Sequence, residues 1–204
     1  MGSPYDRLAA DYDRRWAAYN QRSLALLRAR VADRRMGDVL DLGCGTANLL
    51  PRLAEWGARF DRYVGVDVSM EMLLAARPKL ASTSIPAALA DADAEALPFP
   101  AASFDTVVSA SVLHDVPSPA RALTEARRVL RPGGRLLLVD WSPQRLTMRA
   151  LNLALWLSGE PFRRLYTLAE LTALVAAAGF QVTHTERRAI NWLWELMVIE
   201  AVRD

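Results

Sequence analysis

Residues 39–50 read Val-Leu-Asp-Leu-Gly-Cys-Gly-Thr-Ala-Asn-Leu-Leu, an apolar strand that runs into a glycine turn and then opens a helix. Few folds accept that order. Gly43 and Gly45 let a ligand approach the backbone where a side chain would block it. The amides exposed at the start of the following helix favour a carboxylate or a phosphate. The segment therefore predicts a nucleotide-binding geometry, although a Gly-x-Gly turn alone is weak and a ligand-free strand-to-helix connection can be spelled the same way.

The chain around this segment alternates. Short β-branched runs at 38–42, 63–66, 85–90, 106–109 and 135–139 are separated by helical patterns, which predicts βαβ units around a parallel sheet. Ser118-Pro119 reads as an N-cap followed by a first-turn proline, and Thr167-Leu-Ala-Glu170 as a capping box. Gly57, Pro132-Gly133-Gly134 and Gly179 read as helix stops. The alternation fails near the end, where 180–186 and 194–202 are strand-like with no helix between them, so the last strand is expected to enter antiparallel. The fold class expected is α/β: a Rossmann-like, seven-stranded, mostly parallel sheet with helices on both faces. One domain is expected over the 204 residues. Its parts are a helical lid (1–36), a core (37–140), a helical insertion (141–166), and a closing helix with a strand hairpin (167–204).

A second unit sharpens the first. Tyr63-Val-Gly-Val-Asp67 ends a strand on a carboxylate, which can accept hydrogen bonds from both hydroxyls of a ribose; capping of the next helix is the blander role. NAD and S-adenosylmethionine both suit this arrangement. A dinucleotide fingerprint wants a third glycine three residues after the second, beside the pyrophosphate, and Asn48 stands there. A ligand without a pyrophosphate relaxes that need, which favours S-adenosylmethionine.

With these residues in view, the sequence resembles the class I S-adenosylmethionine-dependent methyltransferases, in the broad group that includes the ubiquinone and menaquinone biosynthesis enzymes. The likeness is carried by 5–13 (Tyr-Asp-Arg-Leu-Ala-Ala-Asp-Tyr-Asp), 39–47, 93–99 (Asp-Ala-Glu-Ala-Leu-Pro-Phe) and 128–134 (Arg-Val-Leu-Arg-Pro-Gly-Gly). It implies that Gly43, Gly45 and Thr46 line the methionine moiety of S-adenosyl-L-methionine, that Asp67 holds the ribose, and that Asp41 belongs with the cofactor-binding residues. It also implies that Val68 and Met70 flank the adenine, that Asp93 accepts from its amine while the Ala94 amide reaches a ring nitrogen, that Ala110 gives a backbone contact, and that Tyr12 covers the cofactor. Ala47 departs from the group, which usually has glycine there.

Charge and composition exclude other classes. No apolar run approaches the roughly 20 residues of a membrane-spanning helix, and no signal-peptide core opens the chain; the cytoplasm is the expected location. Cys44 is the single cysteine, which excludes a disulfide framework and a cysteine-cluster metal site, and no metal is expected. The net charge is +2, yet 1–36 and 141–166 together carry seven positive charges in excess, so an anionic partner or membrane surface competes with solvated helix faces. Nucleic acid is not expected, because the arginines are not interleaved with a base-stacking motif.

For catalysis, His114 follows the fourth strand, where ligands meet the sheet, and can take a proton near neutral pH; positioning of the loop is the competing role. No obvious catalytic pair exists, and methyl transfer to an electrophilic sulfonium does not require one. Trp141, Leu146, Met148, Leu151, Leu153, Leu155, Trp156 and Leu157 make the insertion apolar, and Trp192 and Trp194 follow later in the chain. They are expected to form a greasy acceptor pocket, with a homodimer contact as the competing use. The function expected is methyl transfer to a small lipophilic acceptor. The alternatives are a phospholipid or other membrane-associated amphiphile, an NAD-dependent oxidoreductase, and a non-catalytic nucleotide-binding or membrane-associated module.

Overall fold

A computed structural model describes residues 4–158 and 164–204. Seven strands, β1 (Arg35–Leu42), β2 (Arg59–Asp67), β3 (Ala87–Asp91), β4 (Phe104–Ala110), β5 (Leu130–Trp141), β6 (Phe180–Ala189) and β7 (Glu195–Arg203), form one sheet. Their spatial order is β3-β2-β1-β4-β5-β7-β6. All neighbours from β3 to β5 pair parallel, whereas β7 runs antiparallel to both β5 and β6. The expected sheet, with its one reversed strand, is therefore present.

Period-2 alternation on the strands explains why both faces are covered. Val39, Tyr63, Val108, Leu137, Val139 and Val198 point to one side, where they pack with α4 (Leu49–Glu55), with Ala76 of α5 (Met70–Ala81) and with Met148 of α7 (Leu146–Ser158). Leu40, Val64, Val107, Leu136, Leu138 and Ile199 point to the other, against α6 (Pro119–Val129) and α8 (Leu168–Ala177). The caps read from sequence are formed. Ser118 accepts from the Arg121 amide with Pro119 in the first turn, and Thr167 and Glu170 make the reciprocal capping box.

Two local outcomes differ from the sequence pattern. The lid is not one long helix: it breaks into a 3-10 turn, η1 (Pro4–Arg7), and α1 (Ala9–Arg15), α2 (Ala17–Ala25) and α3 (Arg28–Val31). The break at Trp16 goes with an indole that packs edge-on against Tyr19 and Trp194, a tertiary contact that local helix propensity does not anticipate. Ala47, where glycine is usual, keeps the left-handed backbone at φ 56. The turn is therefore preserved and a modest steric cost is accepted, on the order of 1 kcal/mol.

Candidate cofactor and acceptor site

The chain order reverses at β1, since β2 and β3 build outward on one side and β4 and β5 on the other. Open α/β sheets bind ligands outside the carboxyl ends of strands at such a point. A cavity of about 600 Å³ lies there, within the range of small-molecule sites.

One half of the cavity is built from β1, β2 and the segment after β3. Gly43, at φ +69, lets the turn pass under the β4 loop, because a Cβ there would come within 2.4 Å of Val112 Cγ2. Gly45, at φ +51, has nothing within 4 Å of where its Cβ would stand, so the turn presents bare backbone to the cavity. Asp67 braces this turn: the Gly45 amide donates to Oδ2 at 2.8 Å and the Ser69 amide to Oδ1 at 2.9 Å. Burial raises its carboxyl above the ordinary value, against the pull of those amides. Asp41 is buried beneath, accepting from the Tyr63 hydroxyl at 2.6 Å. Burial, opposed by that hydroxyl and reinforced by the Asp67 charge, moves its carboxyl from 3.8 to about 7. Asp93 accepts from the Glu95 amide at 2.9 Å at the cavity rim, with Ala94 buried behind it.

The other half comes from the lid and the loop after β4. Tyr5, Tyr12, Asn20 and Leu24 face Ser111, Val112, Asp115 and Val116 across it. The lid is fastened at several places, one of them the 2.5 Å hydrogen bond between the Tyr19 and Ser111 hydroxyls. The Tyr5 hydroxyl donates to Asp115, and the Ser69 hydroxyl donates to Asp6 at 2.6 Å. Asp13 accepts from Thr46 Oγ1 at 2.6 Å, Asn48 Nδ2 at 2.9 Å and Lys79 Nζ at 2.6 Å, while Lys79 also donates to the Thr46 carbonyl at 2.6 Å. Those donors hold the Asp13 carboxyl below its ordinary value despite partial burial. Asn48, which stands where a dinucleotide site has glycine, is thus a lid anchor. Tyr12 is pushed up to about 12, by burial first and then by Asp67 and Asp115, so its hydroxyl stays protonated between the two halves.

Of the sequence-selected cofactor residues, Tyr12, Asp41, Gly43, Gly45, Thr46, Asp67, Val68, Asp93, Ala94 and Ala110 line this cavity. Met70 does not: it opens α5 with its side chain largely in solvent, and Met72, one half-turn on, lies in the wall. His114 is also outside the wall. It is 4% exposed, its Nδ1 lies 2.6 Å from Asp140 Oδ1, and its ring stacks on Trp141 with centroids 4.3 Å apart. Asp140 also accepts from the Leu113 and Trp141 amides, so this buried carboxylate fixes the loop that carries His114. Burial works against the charged imidazole, but the Asp140 and Asp115 carboxylates outweigh it and raise the His114 pKa. Its Nε2 lies 3.6 Å from Asp115, which places it behind a cavity residue.

The apolar insertion divides otherwise than expected. Trp141, Met148 and Trp194 are buried in the core, with Leu151 packed against it, while Leu146, Leu153, Leu157 and Trp192 are exposed. None of these lines the cavity. The side chains of Leu155 and Trp156 lie outside the described residues. Sequence reading missed Tyr5, Asn20, Asp115 and Asp140 as site residues. A visible signal existed for the lid clasp, because Lys79 is the single lysine among 25 Lys and Arg residues.

Residues 40–138 match a family model described as a methyltransferase domain. The phosphatidylethanolamine N-methyltransferase of Cereibacter sphaeroides is 34% identical over 143 residues, which cover 66% of this chain and 68% of that protein. The chain belongs to the class I S-adenosylmethionine-dependent methyltransferases. The ubiquinone/menaquinone biosynthesis C-methyltransferase UbiE of Syntrophotalea carbinolica is 37% identical over 149 residues, covering 68% of this chain and 60% of that protein. Across the first curated relatives the chain spans 35%, 60% and 57% of their lengths. Among solved structures, the complex between the Haloferax volcanii Trm112 methyltransferase activator and a methyltransferase contains a chain that matches with a TM-score of 0.80 at 22% identity. That match covers 97% of the present chain and 96% of the matched one, and it shows the fold.

The family's cofactor is S-adenosyl-L-methionine, and the residues present fit it. Bare backbone at Gly45, acceptors at Asp67 and Asp93, and a cavity whose formal charges are carboxylates suit an adenosine joined to a sulfonium. Among the described residues no cluster of His, Cys, Asp or Glu could hold a metal, and no helix is long and apolar enough to cross a membrane.

Proposed function

We propose that this chain transfers a methyl group from S-adenosylmethionine to a small acceptor with an apolar body, bound between the lid and the loop after β4. The cofactor supplies an electrophilic methyl group. Asp67 accepts from the ribose, Asp93 from the adenine, and Tyr12 shields the reacting region from water. The observation that carries the reading is the continuity of the cavity: the glycine-turn half and a second half lined by Leu24, Val112 and Val116 open into each other. Calorimetry with S-adenosylhomocysteine tests the cofactor half, and labelled methyl transfer to pooled apolar acceptors tests the whole. A protein that binds neither S-adenosylmethionine nor its product would leave only a non-catalytic module.

A second reading, an acceptor drawn from a membrane, is favoured by the surface of α7. Leu146, Leu153 and Leu157 recur on one helix stripe and Leu146 is 79% exposed, with Trp192 76% exposed. Arg145 binds the Asn191 and Trp192 carbonyls and Arg149 the Pro143 carbonyl, which sets two cations beside the stripe. An apolar stripe flanked by arginines suits the interface of an anionic bilayer. Co-sedimentation with anionic vesicles at low salt, lost when Arg145 and Arg149 become Glu, supports it. Absence of binding together with a dimer in sedimentation analysis assigns the stripe to a second copy.

A further inference from the structure

Behind the acceptor half runs a hydrogen-bond chain whose direction can be worked out. The Trp141 indole Nε1 donates to the Tyr19 hydroxyl at 2.7 Å, and the Tyr19 and Ser111 hydroxyls are joined at 2.5 Å. An indole nitrogen only donates, so the Tyr19 oxygen accepts in the first bond. Burial raises the Tyr19 pKa, which keeps the phenolic proton in place. Among the described residues that proton meets no acceptor other than Ser111 Oγ. Were Ser111 the donor, a buried phenolic proton would be left unpaired. Ser111 therefore accepts, and its own proton has no partner among the described residues. Ser111 lines the cavity, whereas Tyr19 and Trp141 stand behind it. Its backbone is left-handed, at φ 62, pinned by the amide donating to the Val139 carbonyl at 2.7 Å. A residue with a Cβ accepts that conformation at a cost, and such residues gather at ligand sites. One residue after Tyr19, Asn20 lines the same cavity, and its buried Nδ2 lies near the Tyr12 hydroxyl without a well-formed hydrogen bond.

From this unspent donor we infer that Ser111 binds an oxygen of the acceptor, its hydroxyl donating to a carbonyl, ether or hydroxyl oxygen carried on the apolar body. The inference deepens the proposed function and rests on it. Val112, the next residue, packs over the glycine turn at Gly43, so Ser111 stands where the two halves of the cavity meet. An oxygen held there sets the acceptor at the junction with the methyl donor. Asn20 Nδ2 is a second donor in the same wall. Tyr19 and Trp141 touch no ligand and act as positioning residues. Tyr19 fixes Ser111 Oγ, and polarisation along the chain makes the last proton a better donor than that of an isolated serine. An acceptor without oxygen would bury the Ser111 proton unpaired, so the site discriminates against it beyond what apolar area alone gives.

The test uses three probes with one ring system, 2-naphthol, 2-methoxynaphthalene and 2-ethylnaphthalene, the last without oxygen. Each is titrated by its own fluorescence into the full chain saturated with S-adenosylhomocysteine. Ser111→Ala should weaken 2-naphthol and 2-methoxynaphthalene about fivefold and leave 2-ethylnaphthalene within about twofold. Ser111→Gly should do the same, and because it relieves the left-handed backbone it serves if the Ala variant does not fold. Tyr19→Phe keeps the ring packed against Trp16, Trp141 and Trp194 and should narrow the preference for the oxygen probes about twofold, with S-adenosylhomocysteine affinity unchanged. A merely structural role would move all three probes together. Equal losses for the three probes in the Ser111 variants, no loss for the oxygen probes, or oxygen probes that do not bind, overturn the inference. So does a Ser111→Ala protein that binds S-adenosylhomocysteine more weakly and spares the probes, since the proton then serves the cofactor. Failure of the unaltered chain to bind S-adenosylhomocysteine sinks the proposed cofactor instead, and the same probe comparison on the cofactor-free chain still decides the oxygen site.

Discussion

The two halves of the cavity are built by different means. The cofactor half is made of backbone and near neighbours: a glycine turn, two strand ends, and a carboxylate that accepts from Gly45 and Ser69. The acceptor half is assembled over long distances in sequence. Tyr5 reaches Asp115 across 110 residues and Tyr19 reaches Ser111 across 92, whereas Gly45 and Asp67 of the first half are 22 apart. Local construction keeps one half committed to one ligand. Remote construction leaves the other half free to change with the lid and the loops, as expected where one core serves many acceptors.

The strongest way to break this comparison is to remove the deepest support of the acceptor half. Asp140→Ala deletes the acceptor of the Leu113 and Trp141 amides and strands a buried His114. A loss of about 3–5 kcal/mol in unfolding free energy is expected, read by urea denaturation. A change under 1 kcal/mol, on the scale of an ordinary surface substitution, would mean that the loop holds without Asp140 and that the remote half is less dependent on long-range contacts than the geometry implies.

In the cofactor half the matching substitution is Asp67→Ala. It removes the ribose acceptor and leaves two turn amides unpaired, so S-adenosylhomocysteine affinity should fall by about 1–3 kcal/mol, roughly fivefold to 150-fold. Unchanged affinity in a folded variant would remove Asp67 from the binding role.

These contrasts also explain what the sequence could disclose. The seven-stranded, mostly parallel sheet, the reversed β7, the caps at Ser118 and Thr167 and the glycine turn follow from periodicity and local hydrogen bonding, and all were legible. The break at Trp16 was not, because it depends on Trp194 some 178 positions away; nor was the burial of Trp141 and Trp194, whose rings pack 4.7 Å apart beside Tyr19. Composition alone could not divide the insertion into core-facing Met148 and solvent-facing Leu146, since both are apolar and only the helix phase against the sheet separates them. His114 was visible as a residue type near the ligand-binding edge, but its partner Asp140 and its place behind Asp115 are tertiary facts.

Titration sharpens the comparison further. Asp41 holds its proton in the fold up to about pH 7, whereas its ordinary value is 3.8. With respect to this group the fold is therefore most stable below pH 3.8 and loses that contribution as the pH rises toward 7. His114 acts in a later window, since its raised pKa contributes stability below its ordinary 6.5 that is lost as the pH climbs through the folded value. Asp41→Asn should flatten the first slope and leave the second, measured by denaturation at intervals from pH 4 to 9. A first slope that survives in Asp41→Asn would assign it to another group.

The smallest effect is expected at the lid clasp, where the two halves meet. Lys79 Nζ joins Asp13 of α1 to the Thr46 carbonyl of the glycine turn, so the cofactor cannot leave past α1 without parting these contacts. The pair is partly exposed, with Asp13 at 48%, which limits its worth to about 0.2–1 kcal/mol. Lys79→Ala should accordingly speed release of S-adenosylhomocysteine by roughly one and a half to fivefold in stopped-flow measurements, with a similar loss of affinity. Lys79→Arg is a sharper probe, because a planar fork replaces a compact ammonium that serves two oxygens at 2.6 Å. If the clasp depends on that geometry, the Arg variant releases product as fast as the Ala variant. If charge near Asp13 is enough, it behaves like the unaltered chain, and only the Ala variant is fast. Equal rates in all three would show that the lid opens elsewhere, through the Tyr5–Asp115 or Asp6–Ser69 fastenings, and would move the boundary between the two halves toward η1.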